Sequence, residues 1–238
     1  MTESSSTDYV ATGPRRGGGP HPGLLALISL ALFLAGLIVG AALSGGATLQ
    51  SPFAETSDVV ARFADHAFAT RVAALFQFGS AVPLGIYAAT VYARQLRLGI
   101  RVPGPAIGLY GGITASLLLL VSSMTTWVLS RAEVSVDGAL THALAYLSFI
   151  TGGVGYVVGL GLLVAGLAVP ALILKLVPAW LAWTGLVIAA LSELSFVSMV
   201  VEPLQVLLPI GRFGGAIWLI IVGFLLPQTR AAANRERP

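Results

Sequence analysis

Six stretches of nearly uninterrupted apolar residues run along this chain, separated by short segments that collect its charges, prolines and polar residues. The first, Leu24 to Leu43, has no charged residue over 20 positions, enough at about 1.5 Å per residue to cross a hydrocarbon core about 30 Å thick. Five more follow at about 72–93, 105–129, 140–169, 178–201 and 209–226. The apolar stretch from Gly138 to Trp183 is too long for one helix, and Pro170, Lys175 and Pro178 mark its turn. The pattern predicts an all-α polytopic membrane protein, a bundle of six transmembrane helices spanning 24–227. Arg212 interrupts the start of the last stretch, so residues 203–211 read either as part of the sixth span or as a re-entrant piece.

The flanks differ from the spans. Residues 1–23 carry Ser4, Ser5, Ser6, Gly17, Gly18, Gly19 and three prolines with almost nothing apolar, the composition of a disordered tail, and 228–238 forms a second polar tail. Arg15 and Arg16 precede an apolar run too long for a signal-peptide core, so the first helix is expected to stay uncleaved. Orientation follows from lysine and arginine, which resist translocation. With both termini cytoplasmic, the inner segments hold Arg15, Arg16, Arg94, Arg97, Arg101, Lys175, Arg230, Arg235 and Arg237, against Arg62, Arg71, Arg131 and Arg212 outside. Glu55, Asp58, Asp65, Glu133, Asp137 and Glu202 fall on the outer side. The expected location is the cell membrane. The longest loop, Ser44 to Arg71, is then outside, and Val60, Phe63, Ala67 and Phe68 within 57–70 fall on one helical face, which predicts an outer amphipathic helix with Thr56, Ser57 or Asp58 as its cap.

Composition agrees with a bilayer as solvent: hydrophobic residues make up 56 % of the 238, charged residues only 10 %, and mean hydropathy is +0.90. The absence of cysteine removes disulfides, thiolate nucleophiles and cysteine-ligated metals. The net charge of +3 follows the inside–outside asymmetry, and no basic stripe interleaved with aromatics points to nucleic acid. No H-E-x-x-H, G-x-S-x-G, P-loop or dinucleotide-binding glycine pattern occurs. The segment TGGVGYV at Thr151–Val157 approaches a potassium-filter pattern but lacks its last glycine and a preceding pore helix. No catalytic residue, cofactor or metal site is expected.

Ionisable residues inside a membrane are costly, which makes Glu193, His142 and Arg212 the candidates for function. All three approach the outer leaflet, where Arg71, Gln77, Tyr146, Thr125, Thr126 and Trp127 can join them in a polar cluster. Arg212 near a helix N-terminus opposes the helix dipole, so a carboxylate partner is expected from Glu193 or Glu202. Small-xxx-small pairs at Gly36/Gly40, Gly108/Gly112 and Gly155/Gly159, and the heptad Gly152, Gly159, Gly166, mark close helix approaches, expected first within the chain.

Three segments carry a family resemblance: DVVARFADHAFATRVAALFQFGSAVPLGIYAATVYARQL, LVPAWLAWTGLVIAALSELS and LLPIGRFGGAIWLIIVGFLLP. With an arginine before the second span, Pro-Ala-Trp-Leu-Ala-Trp opening the fifth and Gly-Arg-Phe-Gly opening the sixth, residues 24–227 resemble a family of small bacterial multi-pass membrane proteins of unknown function, common in high-GC soil bacteria. The resemblance implies a six-helix integral membrane protein and assigns no activity. Two functions remain. One is a non-enzymatic bundle that packs with or senses for another membrane component, with the bilayer, a membrane protein or a second copy of the chain as partners. The other is a small secondary carrier or proton-coupled permease with an outward-facing polar site around Glu193. A dry, fully packed interior separates the first from the second.

Overall fold

The computed structural model describes residues 19–46 and 52–227, so the readings of a disordered tail before Gly19 and of a polar tail from residue 228 lie outside it. Among the described residues there is no strand. Six helical segments are long and apolar enough to cross a membrane: Pro22–Leu43, Ala67–Arg97, Pro103–Leu129, Gly138–Ile173, Ala179–Met199 and Glu202–Leu225. The protein is an all-α polytopic membrane protein.

The helix ends follow local chemistry. Pro22 starts α1 (Pro22–Leu43), where the missing N–H costs nothing. Ser44 closes it by donating from Oγ to the Gly40 and Ala41 carbonyls, and Gly45 and Gly46 turn the chain at φ +66° and +85°. The amphipathic helix forms as α2 (Thr56–Asp65) with Val59 buried against Leu129 and Ala145. It is shorter than 57–70 because the backbone bends at His66, and Glu55, not Thr56, Ser57 or Asp58, occupies the N-cap without a side-chain hydrogen bond. The second span, α3 (Ala67–Arg97), contains Pro83 and ends before Gly99 at φ +80°. Pro103 opens α4 (Pro103–Leu129), and the short α5 (Ala132–Ser135) leads to α6 (Gly138–Ile150), capped by Asp137 Oδ1 accepting from the Leu140 N–H at 3.0 Å.

The fourth span is not a uniform α-helix. One wide π turn, Thr151–Gly155, separates α6 from α7 (Tyr156–Ile173). α8 (Ala179–Leu194) tightens into a 3₁₀ turn at Ser195–Met199, and another 3₁₀ turn, Glu202–Val206, runs directly into α9 (Leu207–Leu225). Residues 203–211 therefore belong to the last span, with no break between turn and helix.

α7 is the axis of the bundle. It packs on α4, α8 and α9, and Val157, Leu160, Leu163, Val164, Leu167, Ala168 and Ala171 are all at most 1 % exposed. α3 bridges α1 and α4, and α1 closes the ring on α9. The closest approach joins α4 to α7 through glycine: a methyl built on Gly166 would meet Gly108 Cα at 2.5 Å and Gly104 O at 2.6 Å, and one on Gly159 would meet Ala115 N at 2.7 Å. In lipid, where apolar side chains gain little by leaving one hydrocarbon for another, such backbone packing is a principal source of association. The glycines of the sequence motifs are thus used within the chain: Gly36 faces Phe76, Gly40 faces Ala73, and Gly108 faces Gly166.

Candidate functional site

The polar residues expected to cluster divide into three groups at different places in the bundle. The outermost is a cap over the ends of α2 and α6. His142 Nε2 meets the Pro52 carbonyl at 2.8 Å, and a carbonyl only accepts, so Nε2 carries a proton, while Nδ1 lies 2.7 Å from the Thr56 hydroxyl. The imidazole lies nearly parallel to Tyr146, centroids 4.8 Å apart, and Phe53 packs edge-on against Tyr146 and Phe149. These contacts tie the end of the long loop to the fourth span. Arg71 stays on its own helix, 6.0 Å from the Phe68 ring.

Below the cap, a hydroxyl-amide network joins α3, α4 and α6. Gln77 Nε2 donates to Ser122 Oγ at 3.0 Å, and Ser122 Oγ donates to the Ser148 carbonyl at 2.8 Å. Thr126 Oγ1 donates to the Ser122 carbonyl at 2.8 Å and lies 2.8 Å from Ser148 Oγ. Thr125 turns back to its own helix, bonding the Val121 carbonyl at 2.9 Å. A Cβ on Gly152 would overlap Ser122 Oγ and lie 2.8 Å from Ser122 Cβ, so the wide turn and the network fit only around glycine. Trp127 faces outward, with Arg131 at 5.2 Å from its ring.

Arg212 occupies the third group. Its Nη2 donates to the carbonyl of Gly152 in the π turn, and its guanidinium carbon lies 4.8 Å from the ring centroids of both Phe33 and Tyr156. Two aromatic faces and a carbonyl whose helix geometry has been widened thus face a half-buried cation. The expected carboxylate partner is not there. Glu193 lies on α8 against Gly161 of α7, where a Cβ on that glycine would come within 2.7 Å of Oε1, and Oε1 has no hydrogen-bond partner. The two residues face different neighbours, Arg212 turning to Gly152, Phe33 and Tyr156 and Glu193 to Gly161. Arg212 also sits in the second turn of α9, which starts at Leu207, with Glu202 preceding it in the 3₁₀ turn.

Phe33 and Ser148 are parts of this region that sequence reasoning did not single out, and Thr151–Val157 was weighed only as a filter-like pattern and not as a wide turn. The available signal was the triple glycine of Thr151–Gly155, three residues of low helix propensity in mid-membrane. A further polar link, Ser29 Oγ to the Ser80 carbonyl and Ser80 Oγ to the Ser29 carbonyl, both 2.8 Å, clamps α1 to α3 below Arg212. A void of about 20 Å³ lies between these serines, Phe33, Tyr156 and Arg212, large enough for one water molecule. Among the described residues no three His, Asp or Glu side chains come together as a metal site. No family model, curated protein or solved structure matches this chain.

Proposed function

We propose that this integral membrane protein is a non-enzymatic bundle that packs with, or senses for, another membrane component, with both termini on the cytoplasmic side as the arginine and lysine asymmetry directs. One observation carries this reading: Gln77, Ser122 and Ser148, and Ser29 and Ser80, bond between helices, and the space beside Arg212 open to a water-sized particle is only about 20 Å³. A carrier needs a solvated cavity and a bistable interface, whereas the α4–α7 contact is backbone against backbone.

A secondary carrier or proton-coupled permease around Glu193 is the second reading, favoured by the unpartnered Oε1 of a carboxyl buried between α7 and α8. Extraction into a mild detergent, transfer to lipid nanodiscs and mass spectrometry of what stays bound distinguish the two. The first reading predicts a membrane protein, or a second copy of the chain, in stoichiometric amount. A monomer that retains a polar solute and no protein would overturn it in favour of the carrier.

A further inference from the structure

Arg212 makes one hydrogen bond from five N–H donors, and no carboxylate among the described residues faces it. The hydroxyl of Tyr156, whose ring the guanidinium overlies, has no hydrogen-bond partner among the described residues. Both groups border the void between α1, α3, α7 and α9. Its other polar wall, Ser29 and Ser80, is already committed, each hydroxyl donating to the other's carbonyl. The cavity therefore offers unused donors from a cation and a phenol, backed by Phe33 and Leu160, and no negative group. Such a pocket in a low-dielectric setting attracts an anion strongly.

Size selects which anion. The space open to a water-sized particle is about 20 Å³, which favours a small anion over phosphate, sulfate and carboxylate solutes. We propose that this void is a binding site for a single monatomic anion, a halide, held by the Arg212 guanidinium and the Tyr156 hydroxyl as the counter-ion that the sequence does not supply. The anion would join α1, α7 and α9 through one charge, so its occupancy sets how firmly the peripheral first helix is held.

The test uses the purified full chain in detergent, with chloride or bromide replacing gluconate at constant sodium and ionic strength. The thermal midpoint is expected to rise with halide and saturate. Tyr156→Phe should weaken the apparent chloride affinity at least tenfold, and Arg212→Gln should abolish the response. Should Arg212→Gln fail to fold, bromide anomalous scattering from crystals of the unaltered chain decides the matter, with a peak expected within hydrogen-bond reach of Arg212. A midpoint indifferent to halide, a response unchanged by Tyr156→Phe, or bromide peaks only elsewhere would each overturn the proposal and leave the void to water.

Discussion

Gly166→Ala is expected to destabilise the bundle by about 3 kcal/mol or more, at or above the top of the usual range for overpacking. The added methyl meets Gly108 Cα at 2.5 Å and Gly104 O at 2.6 Å, and both belong to the backbone of α4, which has no rotamer to yield. The Gly166 carbonyl is also held by Gln95 Nε2 at 3.1 Å, so sliding α7 away from α4 breaks a buried hydrogen bond as well. Gly79→Ala and Gly40→Ala are the controls: their methyls would find ordinary contacts, 3.7 Å to Leu32 and 3.4 Å to Ala73, and should be neutral or slightly stabilising. Unfolding midpoints in mixed micelles measure all three. Equal loss in the three variants would show that glycine acts here through helix flexibility and not through the α4–α7 contact.

Trp218→Ala should cost about 3–5 kcal/mol, the range for emptying a buried aromatic site. Trp218 is 2 % exposed, and its Nε1 donates to the Leu181 carbonyl at 2.8 Å, joining α9 to α8. Gly185 supplies the space, since a methyl there would touch Trp218 Cε2 at 2.5 Å. Trp218→Phe keeps most of the apolar contact but leaves the Leu181 carbonyl without its donor, and about 1–3 kcal/mol is expected for it. Calorimetry or denaturant titration should rank the parent first, Trp218→Phe second and Trp218→Ala last. Phe and Ala variants of equal stability would mean that the ring's volume is not what holds α8 to α9.

The number and approximate extent of the apolar spans were legible from sequence, because a bilayer sorts residues by hydropathy and a helix advances by a fixed rise. Azimuth was not. Gly211 and Ser192, the chain neighbours of Arg212 and Glu193, pack together, yet Arg212 turns to Gly152 and Phe33, while Glu193 rests against Gly161. In a helix with apolar residues on every face, periodicity does not say which face meets which neighbour. The same limit concealed the reciprocal Ser29–Ser80 clamp, since serines are 51 positions apart and each one alone reads as an ordinary small residue. The wide turn at Thr151–Gly155 depends on partners too: Gly152 is pressed by Ser122 from α4 and bonded by Arg212 from α9. Glycine-pair spacing, by contrast, did foretell a contact surface, because backbone approach needs only the absence of a side chain.

A packed interior closed to water is the central claim, and single-cysteine labelling tests it most directly, since the chain has no cysteine of its own to remove. Cysteines at Val157, Leu160, Val164 and Ala168, all at most 1 % exposed along α7, should resist a small water-soluble maleimide from both sides of native membranes. Val136, 87 % exposed, should label from outside, and exposed Arg101 only after permeabilisation. Labelling at two or more of the α7 positions in intact membranes would reveal a water-filled route through the bundle and contradict the account.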